Sequence, residues 1–266
     1  MSQQKKRVLV TRPQHQSAEL KALLDEHDFT SVGFPSIEVC PLELTPQLEQ
    51  ILRHINDYDL IIFISANAVH QALSLLQQLN INPAAITANI ASIGKATQKA
   101  ANAAGFNVNL SPQQGFNSQA LLALNELQTA KINHSRGLII RGVGGLENLA
   151  DQLRQRGMQV SYAQVYQRRI PQQDGDIQRQ QLSQNWGSFG INAITVSSNE
   201  ALQNLYDMLE LSNTSLASRT SILGTLIIVV SQRGVTLAKS LGFTQIICAQ
   251  SAINQHILEA LTNAFE

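Results

Sequence analysis

Small or polar residues stand where several short apolar segments end and turn towards a helical pattern. These residues are Thr11, Ser65, Gly94, Ser197 and Ser231, and the basic side chains beside such turns are Arg12, Lys95, Arg141 and Arg233. If the segments are parallel strands, their carboxyl ends meet where free backbone N–H groups and helix dipoles favour anions. The pattern therefore predicts binding of carboxylates or phosphates. The alternative is that the hydroxyl side chains serve only as helix N-caps, each worth about 1 kcal/mol of stability.

Familiar catalytic and cofactor motifs are missing from the sequence. GxGxxG, GxxxxGKS, GxSxG and HExxH do not occur, and the Cys and His residues form no cluster. Nucleotide and metal chemistry are therefore disfavoured. Cys40 and Cys248 lie far apart in the sequence, which favours two buried free thiols in a reducing cytoplasm over a disulfide.

The elements that must position these residues follow an alternating pattern. Seven apolar runs have the composition of strands that are buried on both faces of a parallel sheet. They cover residues 8–10, 60–64, 90–93, 138–140, 193–196, 227–230 and 245–248. Leucines at helical spacing cover residues 66–78, 146–156 and 199–209. The alternation predicts βαβ winding and an α/β fold.

The two halves of the chain carry the same features in the same order. The matched pairs are Arg12 with Arg141, Ser65 with Ser197 and Gly94 with Ser231, at separations of 129, 132 and 137 residues. This period is too long for a solenoid, whose repeats span about 20 to 50 residues. It predicts an internal duplication that forms two lobes, with the paired residues lining one ligand site between them.

Two segments, residues 35–44 and 163–171, fit neither a helix nor a buried core strand. Each contains or precedes a proline and shows the alternation of extended chain, as in 37–39 and 165–168. Both are expected to be exposed connectors, which could pair with each other as a hinge.

Length and charge narrow the classes of protein that are possible. A chain of 266 residues with 44% apolar and 14% charged residues is long enough for two folded domains. Because 19 basic residues balance 19 acidic residues, no overall field draws the protein to nucleic acid or to an anionic membrane. The basic start is followed by too short an apolar run for a signal peptide, so a cytoplasmic protein without membrane spans is expected.

In order and spacing, a set of short motifs resembles the uroporphyrinogen-III synthase family nearly from end to end. The motifs are VLVTRP (8–13), FPSIE (34–38), FISANAV (63–69), IGKAT (93–97), IIRG (139–142) followed by Gly144-Gly145, VYQR (165–168), VSS (196–198) and VVS (229–231).

The resemblance implies two flavodoxin-like, doubly wound parallel-sheet domains that are joined by a two-stranded β connector. Residues 1–36 and 171–266 would form a discontinuous α/β domain 1, and residues 43–163 would form domain 2. Residues 37–42 and 164–170 would be the connector strands. Each copy of the repeat would then cross from one lobe to the other.

The resemblance also implies a lyase that uses no metal or coenzyme. Its substrate would be hydroxymethylbilane, a linear tetrapyrrole octacarboxylate, which closes to uroporphyrinogen III in haem biosynthesis. The hydroxymethyl oxygen leaves as water, and ring D inverts through a spiro intermediate. Tyr166 matches a tyrosine proposed as the acid in this family, and a phenol that titrates near pH 10 can protonate a departing hydroxyl. Packing over the connector is the alternative role for Tyr166.

The expected site combines this tyrosine with residues at the strand ends. The predicted substrate-binding residues are Arg12, Ser65, Asn67, Ala68, Gly94, Lys95, Thr97, Ser118, Arg141, Ser197, Ser198 and Ser231. Two other classes stay open: a non-catalytic, two-lobed binding protein for a small polyanion, and a phosphoacceptor signalling module. The second class needs acidic residues at its strand ends, where this chain has small and hydroxyl residues. A monomer is expected.

Overall fold

The structure is a computed structural model that describes residues 5–115, 117–145, 147–172, 175, 177–211 and 214–266. The chain divides into two compact units: unit 1 comprises Met1–Glu38 and Arg169–Glu266, and unit 2 comprises Val39–Arg168. Both divisions fall inside the segments that the sequence predicts as connector strands. Within the described ranges, no helix is long and apolar enough to cross a membrane.

Strands and helices alternate along most of the chain. The strands are β1 (Lys6–Val10), β2 (Phe29–Gly33), β3 (Glu38–Pro41), β4 (Leu60–Phe63), β5 (Asn89–Ser92), β6 (Val108–Leu110), β7 (Arg136–Gly142), β8 (Gln159–Arg169), β9 (Ile191–Thr195), β10 (Leu226–Val229) and β11 (Ile246–Cys248). The helices are α1 (Gln14–Glu26), α2 (Pro46–Arg53), α3 (Ala66–Gln78), α4 (Lys95–Ala103), α5 (Ser118–Leu122), α6 (Thr129–Ile132), α7 (Asn148–Gln155), α8 (Arg179–Gln184), α9 (Trp186–Phe189), α10 (Asn199–Met208), α11 (Leu216–Leu223), α12 (Gln232–Ser240) and α13 (Asn254–Phe265).

Unit 1 contains a five-stranded sheet in the order β2-β1-β9-β10-β11, and its paired strands are parallel. The chain leaves β1 towards β2 on one side, whereas β9, β10 and β11 follow each other towards the opposite side. This is the flavodoxin-like order, and the direction of winding reverses between β1 and β9.

Unit 2 contains a six-stranded sheet in the order β3-β8-β7-β4-β5-β6. Strands β4 to β8 pair in parallel. Here β7 leads to β8 on one side and β4 leads to β5 and β6 on the other, so the direction reverses between β7 and β4. The first connector strand, β3, lies beside β8, and the Leu42 N–H donates to the Val165 carbonyl at 3.1 Å.

The repeat exchanges its parts between the two units. In the first copy, β1-α1-β2 belongs to unit 1 and β4, β5 and β6 belong to unit 2. In the second copy, β7-α7-β8 belongs to unit 2 and β9, β10 and β11 belong to unit 1. Each sheet therefore takes one βαβ element from one half of the sequence and three strands from the other half, and the sheet of unit 2 also contains β3.

Apolar side chains of both strand faces are buried, because helices cover each sheet on both sides. In unit 1, Val8 and Val10 of β1 pack with Leu20 of α1, whereas Leu9 packs on the opposite face with Leu202 of α10. In unit 2, helices α2, α3 and α4 cover one face and α5, α6 and α7 cover the other.

The predicted α/β class with parallel sheets is confirmed. The seven predicted strands correspond to β1, β4, β5, β7, β9, β10 and β11. The sequence does not predict β2 and β6, whose segments FTSVG and VNL mix polar with apolar residues. The interpretation of residues 163–171 as an exposed connector is wrong in its first part, because β8 pairs with β7 and buries Ala163, Val165 and Tyr166. Cys40 is buried, as predicted, but Cys248 is only half-buried; both are free thiols.

Candidate active site

Three residues meet where the winding of unit 2 reverses. Gly142 ends β7 and pairs with Tyr166 of β8 after a register shift between Arg141 and Gly142, and Ser65 follows β4 on the other side of β7. The Tyr166 ring crosses over Gly142, and its hydroxyl oxygen lies 3.2 Å from the Ser65 Oγ. In open α/β sheets, ligands bind at this kind of switch point.

The Tyr166 ring can lie across β7 only because residue 142 has no side chain. A Cβ added at Gly142 would lie 2.7 Å from the Cε2 and the Cζ of Tyr166. Tyr166 is only 2% exposed and packs in the same core as the strands below it. The Arg168 guanidinium lies 5.9 Å from the centre of the ring. The structure thus fixes the direction of the phenol.

Ser65 connects this tyrosine to the start of α3. Its backbone is extended, with φ −160°, and its Oγ accepts a hydrogen bond from the Ala68 N–H at 3.1 Å. Asn67 and Ala68 belong to the first turn, where backbone N–H groups carry the positive end of the helix dipole. The phenol hydroxyl therefore lies beside an electropositive helix end.

The neighbouring strand β5 leads to a second helix start. Gly94 is the N-cap of α4, Lys95 begins the helix with an exposed side chain, and Thr97 is buried in the first turn. Ser118 begins the short helix α5, whose N-cap Asn117 accepts from the Ala120 N–H at 2.8 Å. Phe116, beside this cap, lies outside the described residues.

Arg141, which the sequence predicts as an anion contact, is buried at the end of β7. It is 4% exposed, and its Nη1 donates to the Glu147 Oε1 at 2.8 Å. Its guanidinium also lies 4.9 Å from the centre of the Tyr162 ring, and the Tyr162 hydroxyl donates to the Glu147 Oε2. Hydrogen bonds from Tyr162 and Arg141 lower the pKa of Glu147, whereas burial and the hydrogen bond with Glu147 raise the pKa of Tyr162.

In unit 1, Arg12 follows β1 beside the reversal point between β1 and β9. Its Nη1 donates to the Asn254 Oδ1 at 2.5 Å, and its Nη2 donates to the Ala252 carbonyl. Burial lowers the pKa of this guanidinium, and the negative charge of Glu19 raises it in part. Arg12 therefore holds the loop between β11 and α13 and makes contacts unlike those of Arg141.

The serines of unit 1 show where the predicted repeat is offset. Ser198 caps α10 by accepting from the Ala201 N–H at 3.0 Å, with the same φ of −160° as Ser65. The counterpart of Ser65 as a helix cap is therefore Ser198, and the predicted pairing with Ser197 is wrong by one residue. Ser231 is exposed and caps α12 by accepting from the Gly234 N–H at 3.1 Å, at the position that Gly94 has before α4.

Gly142, Glu147 and Tyr162 are absent from the predicted site. The IIRG motif includes Gly142, but the role of Gly142 depends on the register of β7 against β8, which the sequence does not reveal. Across the described ranges, no group of three or more His, Cys, Asp or Glu residues could hold a metal ion.

Comparison with known proteins decides the family. The family model described as "Uroporphyrinogen-III synthase HemD" matches residues 18–259. The chain belongs to the uroporphyrinogen-III synthase family.

Relatives that are named as uroporphyrinogen-III synthases match nearly the full length of the chain. That of Escherichia coli (strain K12) is 33% identical, covering 96% of this chain and 99% of its own length. That of Salmonella typhimurium (strain LT2) is 32% identical, covering 96% and 99%. A crystal structure of a mutant uroporphyrinogen III synthase from the extremely thermophilic bacterium Thermus thermophilus aligns with a TM-score of 0.62 at 15% identity, covering 98% of each chain. At this identity, the alignment supports the fold alone.

Proposed function

We propose that this chain is a uroporphyrinogen-III synthase, a lyase of tetrapyrrole biosynthesis that cyclises hydroxymethylbilane with inversion of ring D and loss of water. The family match over residues 18–259 is the observation that carries this proposal. The 33% identity to a named synthase over 96% of the chain supports it. The predicted function and enzyme class therefore agree with the family.

We assign the proton donor to Tyr166. Its O–H bond breaks as the C–O bond of the hydroxymethyl group breaks, so that hydroxide leaves as water and a phenolate remains. The Ser65 hydroxyl, 3.2 Å away, and the electropositive start of α3 behind it support that phenolate. The proton that the closing pyrrole carbon later releases restores the phenol, so the overall reaction releases only water.

Carboxylates of the substrate are bound by the strand ends and helix starts in this proposal. The residues assigned to binding are Arg12, Ser65, Asn67, Ala68, Gly94, Lys95, Thr97, Ser118, Ser197, Ser198 and Ser231. Main-chain N–H groups at helix starts suit carboxylates without a large net charge on the protein. Holding both chain ends in one geometry can lower a barrier by about 7 to 11 kcal/mol.

The proposal further places the reaction in the cytoplasm and in a monomer, without nucleic acid or a cofactor. The free thiols of Cys40 and Cys248 are compatible with a reducing compartment. Sedimentation of the purified protein tests the monomer, and a second species at micromolar concentration would contradict it.

The decisive assay supplies freshly made hydroxymethylbilane, oxidises the products and separates the isomers by chromatography. Without catalysis the substrate closes to the symmetric isomer I, so we expect isomer III from the enzyme. Isomer I alone, at the rate of a buffer control, would overturn the proposal. If the protein then bound the substrate without converting it, a non-catalytic binding protein would be the better description.

A further inference from the structure

A cluster of three side chains closes the loop between β7 and α7 in unit 2. Arg141 comes from the end of β7, Glu147 is the N-cap residue of α7, and Tyr162 comes from β8. Glu147 uses both carboxylate oxygens, one for Arg141 and one for Tyr162. The Arg141 Nε also donates to the Gly142 carbonyl at 3.3 Å. The end of β7 is thus linked to the N-cap of α7.

The same loop contacts the tyrosine of the proposed site. Gly142 lies under the Tyr166 ring, and the Val143 N–H donates to the Tyr166 carbonyl at 2.8 Å. Gly144 and Gly145 have φ values of +74° and +96°, and a Cβ on Gly145 would lie 2.7 Å from the Arg141 Nη2. Leu146 lies outside the described residues. The backbone is therefore folded closely around the Arg141 guanidinium.

We propose that Arg141, Glu147 and Tyr162 form a brace that fixes the β7–α7 loop and, through Gly142 and Val143, the position of Tyr166. Arg141 is then a positioning residue and not a contact for a substrate carboxylate. This inference rests on the proposed function, because Tyr166 is the proton donor in that reaction.

Burial and geometry favour the brace over an anion contact. The Arg141 side chain is 5% exposed, and within the protein its Nη1 donates to the Glu147 Oε1 at 2.8 Å and its Nε donates to the Gly142 carbonyl at 3.3 Å. Its charge is compensated by Glu147, whose side chain is 53% exposed, and the centre of the Tyr162 ring lies 4.9 Å from the guanidinium. Removing Glu147 would leave a buried charge without its partner, which is costly.

The test measures kcat, KM and the ratio of isomers for Glu147→Gln and Tyr162→Phe, both of which retain the Arg141 cation. We expect kcat to fall about tenfold to a hundredfold, because a displacement of about 1 Å is enough for such a loss. KM should change little. Arg141→Gln combined with Glu147→Gln should be no worse than the poorer single variant, because both remove the same brace.

Glu49→Gln is the matched control. Glu49 pairs with Arg53 at 2.8 Å on the exposed face of α2, the same distance as in the Arg141–Glu147 pair. Its kinetic constants should equal those of the wild type. If Arg141→Gln raised KM while Glu147→Gln and Tyr162→Phe left both constants unchanged, Arg141 would be a substrate contact and the brace would be wrong.

A spectroscopic measurement tests the brace independently of the reaction. The difference in ultraviolet titration between the wild type and Tyr162→Phe isolates the Tyr162 phenol, and its pKa should lie above the ordinary value of 10.0. In the Glu147→Gln background this pKa should fall back towards that value. An unchanged titration would exclude the Glu147–Tyr162 contact. If the wild type produced only isomer I, the proposed function would fail, while this titration would still decide the contact.

Discussion

Two residues, Gly142 and Tyr166, show how the direction of one side chain can depend on the absence of another. The ring of Tyr166 crosses β7 only where Gly142 leaves the space, and its hydroxyl then reaches Ser65 on the far side. The position of the phenol therefore depends on a residue with no functional group. Two substitutions separate the effect of the space at Gly142 from the effect of the Tyr166 hydroxyl on stability and turnover.

Replacing Gly142 with Ala should affect both stability and turnover. The new methyl group would lie 2.7 Å from the Tyr166 ring, and overpacking of this kind costs about 1 to 3 kcal/mol. Urea unfolding and kcat measure the two effects. Gly187→Ala is the control, since a Cβ at that position meets nothing within 4 Å. If Gly142→Ala and Gly187→Ala had the same free energy of unfolding and the same kcat, the space beneath the Tyr166 ring would be unimportant.

Removing the hydroxyl alone should affect turnover with the fold retained. Tyr166→Phe is expected to lower kcat about tenfold to a hundredfold, which is at or below the lower end of the roughly 10²- to 10⁴-fold that a general acid contributes. Tyr58→Phe is a matched control, because Tyr58 is buried in the same core but precedes β4, at the opposite end of the sheet. Unchanged turnover of Tyr166→Phe would remove this residue from the mechanism.

At the scale of single residues, the sequence predicts candidate site residues better than it predicts their contacts. Tyr166 and Ser65 are both predicted, but their hydrogen bond depends on strand order and could not be derived from positions 101 residues apart. Arg141 is predicted as an anion contact because it is basic and ends a strand. Its burial against Glu147 depends on glycines with positive φ, which no periodic pattern reveals.

The two units contain closely similar helix N-termini, at α3 and α10. Ser65 and Ser198 have the same φ of −160° and accept from N–H groups at 3.1 and 3.0 Å. Replacing either serine with Ala should therefore cost about 1 kcal/mol of stability. Because only Ser65 contacts the Tyr166 hydroxyl, Ser65→Ala should lower kcat further than Ser198→Ala does. Thermal unfolding and steady-state kinetics of the pair check this, and equal losses of kcat would argue against a role for the Ser65–Tyr166 contact.

Elements with uniform apolar composition are predicted well, and those with mixed composition are not. The buried strand β4 reads as LIIF and is recognised from its sequence alone, whereas β2 and β6 carry polar residues and need their neighbours to form. The segment that contains β8 ends in exposed arginines, and because of these the sequence pattern does not indicate that the residues before them are buried. Burial that depends on a partner strand is therefore invisible to periodicity.

On the scale of the molecule, unit 1 is formed by two separate segments of the chain and unit 2 by one segment. Unit 2 is continuous, and its buried clusters contain only residues between Val39 and Arg168. We expect the segment Val39–Arg168, expressed alone, to unfold cooperatively on heating.

A fragment of the same length, residues 1–130, is the matched comparison. It contains β1 without β9 and β4 without β7, so each of its sheets lacks a central neighbour. It should show no cooperative transition by circular dichroism. Cooperative melting of this fragment, or its absence in Val39–Arg168, would contradict the division of the chain into these units.

The central place of β1 in its sheet has a consequence for synthesis on the ribosome. Its neighbour β9 begins at Ile191, so about 180 residues must be translated after β1 before that pairing can form. At about 5 to 20 residues per second, the wait lasts about 9 to 36 s. During this interval unit 2 emerges complete, while the apolar residues of β1 remain in the nascent chain without their sheet. We therefore expect vectorial folding, in which unit 2 folds before unit 1 and β1 needs protection by chaperones until β9 has been made.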